Sequence, residues 1–159
     1  MKRAIRTISL LALLFMAGTI QAADDPKTVI TAYMAAWNAH DAEKAASFFA
    51  DDGVYFDATV GTPQKGRIAA RDNVIKVFLT AVPDLKWEMT SEPIISPDKR
   101  IAFQWKFSGT NSGAWSADTP ATNKPVNFEG VSFVRIANGK IIYQGDYYDA
   151  LGLNKQLGW

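Results

Sequence analysis

Ile30, Tyr33, Met34 and Trp37 recur at three- and four-residue spacing, which predicts an amphipathic first helix with one apolar face. An Asp in "DDPK" caps it, and Pro26 falls in the first turn, where a missing N–H costs nothing. Asp41 caps a second predicted helix, 42–50, whose buried stripe takes in Ala45, Phe48 and Phe49. "DDG" ends that helix, and "VYFDA" reads as a short strand. A loop with Gly61, Pro63 and Gly66 leads to a third helix, roughly 68–81, stopped by Pro83. After Pro83 the period changes from helical to two. Strands are expected near 85–95, 101–109, 126–136 and 141–148, with Pro97-Asp98 and Asn138-Gly139 as tight connections. The stretch 110–125 is rich in Asn, Ser, Gly, Pro and Thr and reads as a loop, and a short helix, about 150–157, closes the chain. Helices first and antiparallel strands afterwards predict an α+β domain.

The N-terminus obeys a different pattern. Lys2, Arg3 and Arg6 form a basic head, residues 8–17 are nearly all apolar, and small residues follow in "GTIQAADD". This is the layout of a secretory signal peptide, cleaved after Ala22 or Ala23, with a single domain occupying 23–159. The apolar run is shorter than the roughly 20 residues a membrane span requires, so no stable span is expected after cleavage. The expected destination is the bacterial periplasm or the medium. Cleavage removes three basic side chains and no acid, so 17 basic residues become 14 against 16 acidic ones. The remaining chain is mildly acidic and has no dense Lys/Arg stripe, which argues against nucleic acid as a partner. The 159 residues contain no Cys and one His, His40, excluding disulfides, thiolate metal sites and zinc centres built on several imidazoles. His40 reads as a structural residue at the first helix's C-terminus. No metal and no organic cofactor is expected.

The segments "AAWNAHDAEKAASFFADDGVYFD", "PDL", "PATNKPVNFEGVSFVRIANGKI" and "YYDALGLNKQLG", taken in order, resemble the SnoaL-like polyketide and ester cyclases. These belong to the wider nuclear-transport-factor-2-like superfamily, and the similarity runs from about Val29 to Gly158. The resemblance implies a cystatin-like cone, in which a curved mixed β-sheet wraps the N-terminal helices and leaves a pocket at its wide end. It also implies a small, apolar, often ring-shaped ligand and frequent homodimers formed through the sheet.

Candidate chemistry follows from the same comparison. Tyr33 and Asp57 match the places of an oxyanion donor and a base in the related ketosteroid isomerases. A carboxylate in an apolar pocket is poorly solvated and becomes more basic, and a phenol aimed at a developing enolate stabilises it. The isomerases add a third, protonated acid, and the aligned residue here is Ser132. In the cyclases an aspartate from the last strand region is the acid/base of an aldol ring closure. The sequence "IIYQGDYYDALG" offers Asp146 and Asp149, and spacing does not choose between them. If Asp146 faces the pocket, alternation puts Gln144 and Tyr148 beside it. Asp149 stands where a helix cap would. Many family members have His-Trp where this chain has Gln144-Gly145. The expected catalytic set is therefore Asp57, Asp146, Asp149 and Tyr33, and the expected ligand-binding set is Trp37, Phe56, Ser132, Gln144 and Tyr148. Glu129, Val131, Phe133 and Arg135 share one strand face, expected to be the outer side of the sheet.

Three functions are compatible with this reading. One is cofactor-free acid/base catalysis through an enolate, as an aldol-type cyclisation or an isomerisation. The second is non-catalytic binding of a small hydrophobic molecule in the same pocket. The third is an assembly protein acting only through its sheet face.

Overall fold

The computed structural model describes residues 25–159, so the expected signal peptide lies outside the described residues. Helix α1 (Pro26–Asn38) starts where Asp25 Oδ2 accepts the Thr28 backbone N–H at 3.0 Å, a cap worth about 1 kcal/mol. Its buried face includes Ile30, Tyr33, Met34 and Trp37, as the spacing predicts. The helix ends by gripping a strand. Asn38 donates to the Trp87 carbonyl and accepts from the Trp87 N–H, both at 2.8 Å, while the His40 ring meets the Leu85 carbonyl.

Helix α2 (Ala42–Ala46) is capped by Asp41 but is shorter than expected. Strand β1 (Phe49–Asp57) begins where the sequence pattern places the helix's last turn. The reason is tertiary: the Phe48 carbonyl accepts the Ile141 N–H at 2.8 Å, and Phe49 pairs with Ile141. A local helical preference loses to a strand ladder supplied by residues ninety positions away.

A short β2 (Gln64–Lys65) follows, not foreseen in the sequence pattern. The third helix forms as α3 (Arg67–Ala70), a wider π turn at Arg71–Ile75, and α4 (Lys76–Ala81). The remaining elements are β3 (Lys86–Met89), β4 (Ile94–Ile95), β5 (Arg100–Thr110), β6 (Pro125–Ala137), β7 (Lys140–Tyr148) and α5 (Ala150–Leu157). The expected strand 85–95 is thus two short ones, both pairing with β5.

The sheet is mixed, curved and unclosed, in the order β2-β1-β7-β6-β5-β3, with β4 also on β5. Among the described strands, only β1 and β7 run parallel; the other neighbours are antiparallel. Its inner face packs on the helices. Trp87 lies at the centre of this core, with the rings of Tyr33, Trp37, Phe103 and Trp105 between 5.5 and 6.4 Å away. Edge-on pairs of this kind add about 0.5–1.5 kcal/mol each beyond their buried area. Among the described residues, no helix is long and apolar enough to cross a membrane.

Candidate functional site

One irregularity decides what the last strand presents. Ile136 of β6 pairs with Ile141, but Arg135 pairs with Tyr143, so β7 carries one extra residue, Ile142. A one-residue bulge inverts which parity of side chains faces inward. Ile141 is buried before it; Gln144, Asp146 and the half-buried Tyr148 face inward after it.

The parallel β1–β7 pair then sets Asp57 opposite Asp146 and Tyr55 opposite Gln144. On the other side Ser132 of β6 is the partner of Asp146. Both carboxyls are buried, Asp57 at 3% and Asp146 at 4% exposure. They border a crevice walled by Trp37, Phe78, Trp87, Trp105, Phe107 and Phe128, with Tyr55 and Tyr148. The centre of a water-sized body has about 20 Å³ to move in, enough for one water. A ring-sized ligand requires the aromatic walls to part.

Asp146 accepts from three neutral donors. Ser132 Oγ lies 2.5 Å from Oδ1, Tyr55 OH lies 2.7 Å from Oδ2, and Gln144 Nε2 reaches both oxygens at 3.1 and 2.9 Å. Ser132 is itself held by the Trp105 indole N–H at 2.8 Å. That contact depends on Gly130, where a Cβ would meet the Trp105 ring at 2.5 Å. Burial, aided by the charge of Asp57, raises Asp146 to about 7 against the pull of its three donors.

Asp57 has a different set of partners. Its Oδ1 accepts the backbone N–H groups of Thr59 and Val60 at 2.9 and 3.1 Å, and Tyr148 OH donates to both oxygens. Burial raises its pKa too, and these donors oppose the rise. Tyr148 also lies 2.6 Å from the Thr59 hydroxyl.

The other expected site residues are distributed as follows. Trp37 lines the crevice. Tyr33 is fully buried behind its wall, among Trp37, Phe48, Phe49 and Trp87, and is not one of the lining residues. Two expectations need correction. Phe56 faces the outer side of the sheet and packs on Tyr147, because alternation on β1 sends Tyr55 and Asp57 inward. Asp149 lies outside the crevice as the cap of α5, accepting the Gly152 N–H at 2.8 Å. Tyr55 is not in the expected set, although it stands two residues before Asp57 on the same strand face. Nothing local to Trp105 marks it for a site role; only the pairing of β5 with β6 brings its N–H to Ser132. Among the described residues, no group of three or more His, Cys, Asp or Glu is arranged to hold a metal ion.

The fold has parallels among known proteins. No curated protein matches the chain. Among solved structures, AclR from Streptomyces galilaeus, described as a candidate hydroxylase, is 23% identical with a TM-score of 0.69, over 84% of each chain. IdmH from Streptomyces antibioticus, described as a candidate polyketide cyclase, is 22% identical with a TM-score of 0.68, over 85% of this chain and 99% of that one. A protein of ketosteroid-isomerase-like fold from Catenulispora acidiphila, in complex with trimethylamine, is 21% identical with a TM-score of 0.67, over 82% and 92%. At these identities the likeness shows the fold, and fold alone does not fix chemistry. The family model for SnoaL-like polyketide cyclases matches residues 27–157, nearly the whole described chain, and the chain belongs to that family.

Proposed function

We propose that the crevice binds a small, largely apolar carbonyl compound and that Asp146 is its general base. The observation that carries this reading is a buried carboxylate bordering an aromatic crevice, bonded to three neutral donors and, among the described residues, to no cation. Such a group is held near neutrality, where a base is both sufficiently ionised and sufficiently basic. It would take a proton from carbon next to the carbonyl, leaving an enolate, and return that proton after an aldol-type ring closure or an isomerisation. Tyr148, half-buried at the crevice, is the donor best placed to meet the enolate oxygen, provided it turns from Asp57. No cofactor enters this scheme. The test is turnover of ring-forming or enolisable carbonyl compounds by the native protein and by Asp146→Asn. Equal rates would end the assignment of Asp146.

A second reading, non-catalytic binding, is favoured by one observation. Both phenols at the crevice, Tyr55 and Tyr148, already donate to carboxylates, so neither is free for an oxyanion. Ligand capture without turnover in the same assay would favour it.

Two further parts of the proposal concern the whole molecule. The basic, apolar and small-residue sequence of 1–23 supports export to the periplasm or medium. The outer sheet face supports a homodimer. Phe133, Ile94 and Tyr147 are 51%, 76% and 41% exposed there, and β6 presents Glu129 and Arg135 on that same face. A two-fold arrangement would let Arg135 of one copy meet Glu129 of the other. Sedimentation of native protein and of Phe133→Glu tests it; a native monomer would end it.

A further inference from the structure

Gln144 is fully buried, and its two amide atoms are treated unequally. Nε2 donates to Asp146, whereas Oε1 has no hydrogen-bond partner. The hydroxyl of Tyr33 is also buried and unpartnered, and Gln144, Tyr55 and Trp37 are its polar neighbours. A buried acceptor left unmade costs about 1–3 kcal/mol, so this arrangement calls for an explanation.

The explanation lies in what Asp146 needs when it carries a proton. As a carboxylate it only accepts, and Ser132, Tyr55 and Gln144 all donate to it. As a carboxylic acid it must donate once. Ser132 and Tyr55 could accept only by redirecting hydroxyl protons that now point at Asp146, and Ser132 already receives the Trp105 N–H. Gln144 holds a whole acceptor atom, Oε1, that no donor reaches.

We infer that Gln144 is a positioning residue whose side-chain amide turns over with the proton on Asp146. When Asp146 is ionised, Nε2 donates to the carboxylate and Oε1 has no partner. When Asp146 is protonated, Oε1 accepts the carboxyl O–H and Nε2 donates to the Tyr33 hydroxyl. The amide thus offers a partner to both states of the base and couples it to a phenol buried behind the crevice wall. The inference rests on Asp146 titrating, as the proposed function requires, and not on turnover.

The other groups facing the pair are accounted for. Asp57 and Tyr55 come from β1, Tyr143 and Tyr148 from β7, and Tyr33 from α1; β6 supplies Ser132 and β5 the Trp105 indole. None of these is a cation. Asp57 is the one other carboxyl among them, so the experiment must follow both acids separately.

The test is NMR of the ligand-free protein, following the Asp57 and Asp146 carboxyl carbons and the Gln144 side-chain amide from about pH 5 to pH 9. The expected result is contact between the Gln144 amide protons and the Tyr33 ring below the Asp146 midpoint, lost above it. In Gln144→Met, both protonation states lose one partner, so the Asp146 midpoint should move by less than about half a pH unit. An amide that only donates predicts instead a rise of about one unit or more, since only the ionised form is then weakened. Amide contacts that stay fixed while Asp146 titrates, or such a rise, would overturn the inference and leave the base assignment standing. An Asp146 carboxyl that stays ionised throughout would remove both.

Discussion

Asp57 and Asp146 are register partners across the parallel β1–β7 pair, yet they have no hydrogen-bond donor in common. Asp57 is anchored by two backbone N–H groups and a phenol, Asp146 by side chains alone. Environments that separate two neighbouring carboxyls in this way also separate their roles. Asp146, the one raised to about 7, is suited to proton transfer, and Asp57 to holding the turn at Thr59 and the Tyr148 hydroxyl.

If Asp146 is the base, kcat/KM should rise as pH increases through about 7, because the reactive form is the carboxylate. Asp146→Asn should lower turnover by roughly 10²–10⁴. A pH–rate profile of native protein and variant checks both points.

Stability should run the opposite way with pH. Between the ordinary carboxylate value near 4 and the raised value near 7, the folded state holds a proton that the unfolded state releases. That stabilising contribution is complete below about pH 4 and is lost as pH rises through about 7. Its size is roughly 3–5 kcal/mol, and the raised Asp57 adds in the same direction. Urea unfolding at pH 5 and pH 9 should show native protein losing more stability than Asp146→Asn.

Ser132→Ala should remove one donor from ionised Asp146 and strand the Trp105 N–H. The expected cost is about 1–3 kcal/mol, with the Asp146 midpoint moving upward. Carboxyl titration by NMR and thermal melting measure the two effects separately.

Gly130→Ala places a methyl where the Trp105 ring lies, 2.5 Å from its nearest atom. The indole has to shift, which should cost about 1–3 kcal/mol. Loss of its bond to Ser132 should appear in the indole N–H proton resonance.

Asp149→Ala separates the two aspartates that spacing could not. Removal of the α5 cap should cost about 1 kcal/mol and leave the Asp146 midpoint unchanged. A displaced midpoint would show that Asp149 belongs to the site.

Features that depend on neighbours along the chain are legible in the amino-acid sequence alone. The caps at Asp25, Asp41 and Asp149 follow from local chemistry, and so does the buried face of α1. The alternation along β5 and β6 is legible for the same reason, as is the side-by-side placement of Gln144, Asp146 and Tyr148. Tyr55 was equally legible, being two residues from Asp57. Tertiary structure decided which way the last strand faces. Without the extra residue at Ile142, a buried Ile141 would place Tyr143, Gly145 and Tyr147 inward and turn Asp146 to the outer face. Pairing also ended α2 early, because β7 offered Phe48 and Phe49 a ladder that no local signal reveals. Asp57 meets Asp146, and Trp105 meets Ser132, only through register between strands far apart in sequence. Hydrophobic periodicity fixes the faces of an isolated element, whereas bulges and strand register arise from contacts between elements.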